Sequence, residues 1–163
     1  MRSNDGKVSL GMIALIVWFV TVGVAALFFI RGSTAPSSDG RSSIVLAPAE
    51  RDLVLKEMRG MLSSVDGVVA GVANHDLQQV AQAARGSGMA VAADVSPRLM
   101  LKLPLKFKRM GMAMHKSFDD LASSAERGAG PDQILARLGN QLSSCAACHA
   151  AYRLEASSTA RRE

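Results

Sequence analysis

The run from Val8 to Ile30 contains no charged residue and no polar face. As an α-helix it would be roughly 34 Å long at about 1.5 Å per residue, enough to cross a hydrocarbon core of about 30 Å. Whatever else the chain folds into, this segment belongs in lipid or is removed. Arg2 and Lys7 precede it and favour a cytoplasmic position for residues 1–7. A cleaved signal peptide is the competing reading, but apolar cores of that kind run only about 7–15 residues. Ser33-Thr34-Ala35 has the small residues of a cleavage site, yet Pro36 follows directly and should hinder processing. The expectation is therefore an uncleaved transmembrane anchor over 8–30. Either fate sends the remainder out of the cytoplasm.

Residues 31–45 are rich in Ser, Gly and Pro and read as a flexible linker. Residues 46–156 form one small domain, and 157–163 a short tail. The chain carries 19 basic and 14 acidic residues, a net charge of +5. Much of the basic charge falls in one stretch: Arg98, Lys102, Lys106, Lys108, Arg109 and Lys116. It reads as a solvated helix face, or as a docking patch for an acidic redox partner or anionic lipid. Few aromatics and an exported domain argue against nucleic acid.

The domain reads as four helices, an all-α class. The first spans Pro48 to Ala73, with Leu55, Met58, Leu62, Val65, Val69 and Val72 on an apolar stripe. The second, Leu77 to Ala93, carries small residues on one side. The third spans Leu105 to Arg127, with Phe107, Met110, Met114, Phe118 and Leu121 inward, and ends at Gly128-Ala129-Gly130. The fourth spans Pro131 to Ala156 and aligns Leu138, Leu142, Cys145, His149 and Tyr152.

Cys145-Ala146-Ala147-Cys148-His149 reads C-x-x-C-H, the attachment signature of a c-type haem, and uses both cysteines of the chain. Each cysteine can form a thioether to the porphyrin, and His149 is then an axial iron ligand. Three other uses of such a pair are a thioredoxin-like centre, half of a zinc site and a disulfide. The first needs an α/β pattern that the chain lacks. Zinc needs a fourth ligand, for which only His75 and His115 remain. His115 reads as a partly exposed polar residue rather than a second axial ligand, and His75 as a turn residue.

Four helices with C-x-x-C-H near the C-terminus resemble the cytochrome c′ / cytochrome c-556 family, that is, class II c-type cytochromes. Cys145-Ala-Ala-Cys148-His149-Ala-Ala-Tyr152-Arg153 is similar to that family's C-x-x-C-H-x-x-Y-R ending. Arg51, seven residues before Met58, matches its opening helix. The resemblance covers about 48–156 and omits the anchor. It implies an antiparallel four-helix bundle around one covalent haem c, with Arg51 near a haem propionate and Arg153 on the proximal side. It also implies that Leu55 covers a vacant distal site in five-coordinate members, or that Met58 fills that site in low-spin members. Met61, one turn on, is a weaker distal candidate, and either methionine can instead be core filling.

The expected function is a monohaem c-type cytochrome of the bacterial inner membrane. Its haem domain faces the periplasm and carries single electrons between unidentified redox partner proteins. The alternative is a five-coordinate binder or sensor of nitric oxide or carbon monoxide. A structural haem subunit of a larger membrane complex is a third reading. No nucleophile, general base or substrate pocket is visible, so no enzymatic activity is expected. Some relatives dimerise, which leaves a homodimer open.

Overall fold

The first element of the computed structural model is α1 (Leu10–Arg31), which buries none of its residues against the rest of the protein. The structure describes residues 10–92 and 95–157. The expected cytoplasmic segment 1–7, Ala93 and the tail beyond Ser157 lie outside the described residues. By length and composition α1 can cross a membrane.

The chain is mostly helical. After α1 come α2 (Pro48–Ala73), α3 (Leu77–Arg85), α4 (Met89–Ala92), α5 (Pro97–Lys102), α6 (Leu105–Glu126) and α7 (Pro131–Ala151). Local chemistry sets the ends. Pro48 occupies the first turn of α2, where no backbone donor is needed, and the Glu50 carboxylate accepts from the Ala47 N–H at 3.0 Å. At the other end His75 takes a left-handed φ of 56°, and the His75 and Asp76 N–H groups donate back to the Val72 and Gly71 carbonyls. Asp76 then caps α3 by accepting from Gln78 N and Gln79 N, both at 2.9 Å. Gly128, with φ 80°, closes α6 as its position in the sequence suggests.

Helix α2 packs on α3, α3 on α6, and α6 on α7. The buried face of α2 is turned from the expected stripe. Val54, Ser64, Val68 and Gly71 point inward, while Leu62 (68 % exposed) and Val69 (47 %) face outward. Close approach to α3 explains the turn. A Cβ on Gly67 would sit 2.7 Å from the Ala83 Cβ, and one on Gly71 would sit 2.8 Å from the Val80 side chain. The small residues thus face the neighbouring helix, whatever the apolar period suggests.

The expected second helix breaks after Arg85. Gly88 leaves no room for a Cβ against the Asp119 carboxylate, which accepts from the Met89 N–H at 2.8 Å and pairs with Arg85 at 2.8 Å. A side chain of α6 thereby takes the place of the next helical bond.

An all-α domain was expected, but the structure adds a three-stranded sheet. β1 (Thr34–Pro36) runs antiparallel to β2 (Ser42–Leu46), and β2 runs parallel to β3 (Tyr152–Ala156), with Ile44 opposite Leu154. Two expectations change with it. Residues 31–45 are not a free tether, since Ile44 is fully buried and Leu46 nearly so. The last helix stops at Ala151, because Tyr152–Ala156 completes its backbone hydrogen bonds with β2 rather than with itself.

The core is split. One apolar cluster gathers Val68, Val80, Phe118, Leu121, Ile134 and Leu138. The other gathers Ile44, Leu46, Val54, Leu99, Leu103 and Phe107.

Candidate cofactor site

Along α7 the inward positions are Ile134, Leu138, Gln141, Cys145 and Cys148, spaced four and three apart on one helical face. Gln141 holds the inner position between Leu138 and Cys145. Leu142, expected there, is 45 % exposed. The C-x-x-C-H motif thus lies in the last two turns of α7. His149, expected in line with Cys145, is exposed at the helix end, and its carbonyl accepts from the Arg41 guanidinium at 3.2 Å. A cation at this end of a helix suits its dipole.

A cavity of about 500 Å³ opens between α2, α6 and α7. Small-molecule and cofactor sites span roughly 300–1,000 Å³. Cys145, Cys148 and His149 line one wall, and Val54, Met58 and Met61 of α2 line another. Phe107, Met114 and His115 of α6 close it. Cys145 and Met61 border the first apolar cluster, whereas Cys148 and Met58 border the second. The cavity therefore lies at the seam of the split core, with one cysteine and one methionine on each side.

Its lining surface is mainly apolar, but polar side chains reach it, Glu57, Asp120, Arg137 and Gln141 among them. The Gln141 side-chain amide donates to Ser117 Oγ at 2.8 Å, leaving its own carbonyl oxygen buried without a partner among the described residues. His115 is buried, not partly exposed as expected. Its Nδ1 lies 2.9 Å from the Ser87 carbonyl, which can only accept, so Nδ1 carries a hydrogen. Burial raises the Glu57 carboxyl above its ordinary pKa, and the nearby His115 opposes the rise. Arg137 also borders the cavity and forms no ion pair among the described residues.

Both cysteines are free thiols. Burial pushes the pKa of each upward, and for Cys148 the neighbouring Cys145 adds to the rise. Thiol–disulfide exchange uses the thiolate, which this environment disfavours. Among the described residues no group of three or more His, Cys, Asp and Glu side chains is placed to hold a metal ion. His75 lies exposed in the α2–α3 turn. No strand leads into the motif, because α6 precedes α7.

No family model, curated protein or solved structure matches this chain. The assignment of the site therefore rests on its own residues.

Of the residues singled out in the sequence, the structure brings Cys145, Cys148, His149 and Met58 to one cavity, and Met61 with them. Leu55 does not line it, and Val54 takes that place. Arg51 pairs with Asp52 at 3.4 Å and does not reach the cavity wall. Arg153 lies on β3, where it bonds Ser37 Oγ at 3.2 Å and pairs with Glu155 at 3.2 Å. His115, Gln141 and Arg137 are the additions. The four-residue spacing of Gln141 and Cys145 was a usable signal for Gln141, whereas the positions of His115 and Arg137 depend on tertiary packing.

Proposed function

We propose that the chain is a membrane-anchored monohaem c-type cytochrome that carries single electrons on the periplasmic side of a bacterial inner membrane. One observation carries the reading. The cavity that borders both motif cysteines divides the apolar core, and a flat apolar group held at Cys145 and Cys148 would join its halves.

The residues present suit that group. Free, half-buried thiols stand four and three residues along an inward helical face, His149 follows, and most of the wall is apolar. An unpartnered Gln141 oxygen offers an acceptor. Cys145 and Cys148 would hold haem c as thioethers, with His149 the proximal ligand and Met58 the distal one. Bound there, haem supplies a one-electron Fe(II)/Fe(III) couple. Within this reading α2, α3, α6 and α7 are the four helices of an antiparallel bundle.

The chain's own part is burial and ligand choice. Phe107, Met114 and Val54, each buried, would shield a group held there from water. A methionine thioether favours reduced iron and keeps coordination constant across the redox change, which suits electron transfer. Arg137, rather than Arg51, borders the cavity and would be the cation available to a carboxylate of the cofactor. No residue is assigned a catalytic role.

Met58→Ala tests the ligand assignment in haem-loaded protein. We expect a lower potential, loss of the sulfur-to-iron(III) absorption in the far red, and new binding of carbon monoxide. An unchanged spectrum would exclude Met58. Carbon monoxide binding by the unaltered protein would favour the gas-binding reading instead.

A further inference from the structure

We propose that Arg31, Lys106 and Arg109 form a seat for anionic phospholipid headgroups, which fixes how the domain stands on the membrane. The proposal rests on the anchor remaining attached and is independent of what fills the α2–α6–α7 cavity.

The end of α1 is docked on the domain. The Ser33 N–H donates to the Lys102 carbonyl at 2.6 Å, and the Val45 N–H donates to the Ser33 carbonyl at 2.8 Å. Lys108 reaches back to the Phe29 carbonyl at 3.4 Å, one of the last carbonyls of α1, and its ammonium lies 3.7 Å from the centre of the Phe29 ring. Gly32 adopts φ 62°, and a Cβ there would lie 2.5 Å from the Lys102 oxygen. This junction holds the helix end and the domain together without a spacer.

Depth then follows from length. The apolar part of α1 spans about the full hydrocarbon thickness, so Ile30 and Arg31 fall at its outer boundary. Ile30 and Arg31 line one surface cavity together with Lys106 and Arg109. All three cations therefore stand at headgroup height. None forms an ion pair or side-chain hydrogen bond among the described residues, and no acidic residue lines that cavity. Elsewhere in the same basic stretch, Lys102 pairs with Glu50 at 2.6 Å and Lys116 with Asp120 at 2.8 Å. Arg31, Lys106 and Arg109, beside the anchor, are thus open to an external anion. The anchor turns this face toward the bilayer, so a lipid phosphodiester is the anion within reach and an acidic protein partner is not.

The test uses the full-length protein in neutral detergent, with short-chain phosphatidylglycerol or phosphatidylcholine added and bound lipid read by native mass spectrometry. Each basic residue near an anionic surface contributes about 1 kcal/mol. Phosphatidylglycerol should bind in preference to phosphatidylcholine, and the double variant Lys106→Gln/Arg109→Gln should bind it about 10- to 30-fold more weakly. Lys116→Gln, a cation already paired, should bind as the unaltered protein does. Equal binding of both lipids, or full binding by the double variant, would overturn the proposal. Displacement of phosphatidylglycerol by millimolar inorganic phosphate would also overturn it, by showing a site for free anions.

Discussion

Single residues carry unequal weight here, and Gly32 shows why. Its left-handed backbone and its contact with the Lys102 carbonyl leave no space for a side chain. Gly32→Ala should therefore destabilise the junction between α1 and the domain by about 1–3 kcal/mol, read as a lower midpoint of thermal unfolding in detergent. Asp119 is a second such point. Its carboxylate accepts from the Met89 N–H and pairs with Arg85, which together hold its pKa below the ordinary value. A depressed carboxyl stabilises the fold above its unfolded pKa of 3.8 and loses that contribution as pH falls through the folded value. Asp119→Asn should flatten acid unfolding below about pH 4, measured by circular dichroism. An unchanged acid limb would show that the Asp119 contacts do not contribute.

At the scale of elements, the helices were legible and the sheet was not. The span of α2 was readable to the residue because Pro48 opens it and Asn74-His75-Asp76 closes it. Periodicity was a poorer guide to its inward face, since Ser64, Gly67 and Gly71 turn that face toward α3 while Leu62 and Val69 remain outside. Small residues make a close helix contact without an apolar signal. Gly67→Val should thus destabilise by about 1–3 kcal/mol through overpacking, whereas Leu62→Ser should be near neutral, both by chemical denaturation. The sheet escaped notice for another reason. Ile44-Val45-Leu46 is an apolar triplet inside a serine-rich stretch, and its parallel partner Leu154 lies at the far end of the chain. Local sequence carries no record of such a pairing. At the candidate site the motif was readable from spacing and Met58 was singled out by the family resemblance, while His115 and Arg137 reach the cavity only through the packing of α6 and α7.

For the whole molecule, the sheet links the segment after α1 to the segment after α7. β2 ties the residues that follow the anchor to β3, which follows the C-x-x-C-H turn, and Arg41 of the same hairpin holds the His149 carbonyl. The end of α1, the sheet and α7 are thereby tied together. Removal of the anchor at Ala35 would also remove Ser33, and with it the bonds to Lys102 and Val45. Protein isolated from membranes should therefore retain Trp18 and the rest of α1, as shown by intact mass. A mature chain beginning at Pro36 would contradict this reading.

The central claim is covalent haem at Cys145 and Cys148. Its most direct measurement is the reduced absorption spectrum of the full-length protein, expressed with a c-type haem maturation system, after denaturation and acid–organic extraction. The account predicts that haem absorption stays with the unfolded chain and disappears in Cys145→Ser/Cys148→Ser. A colourless chain with two titratable thiols, made in cells that mature other c-type cytochromes, would contradict it.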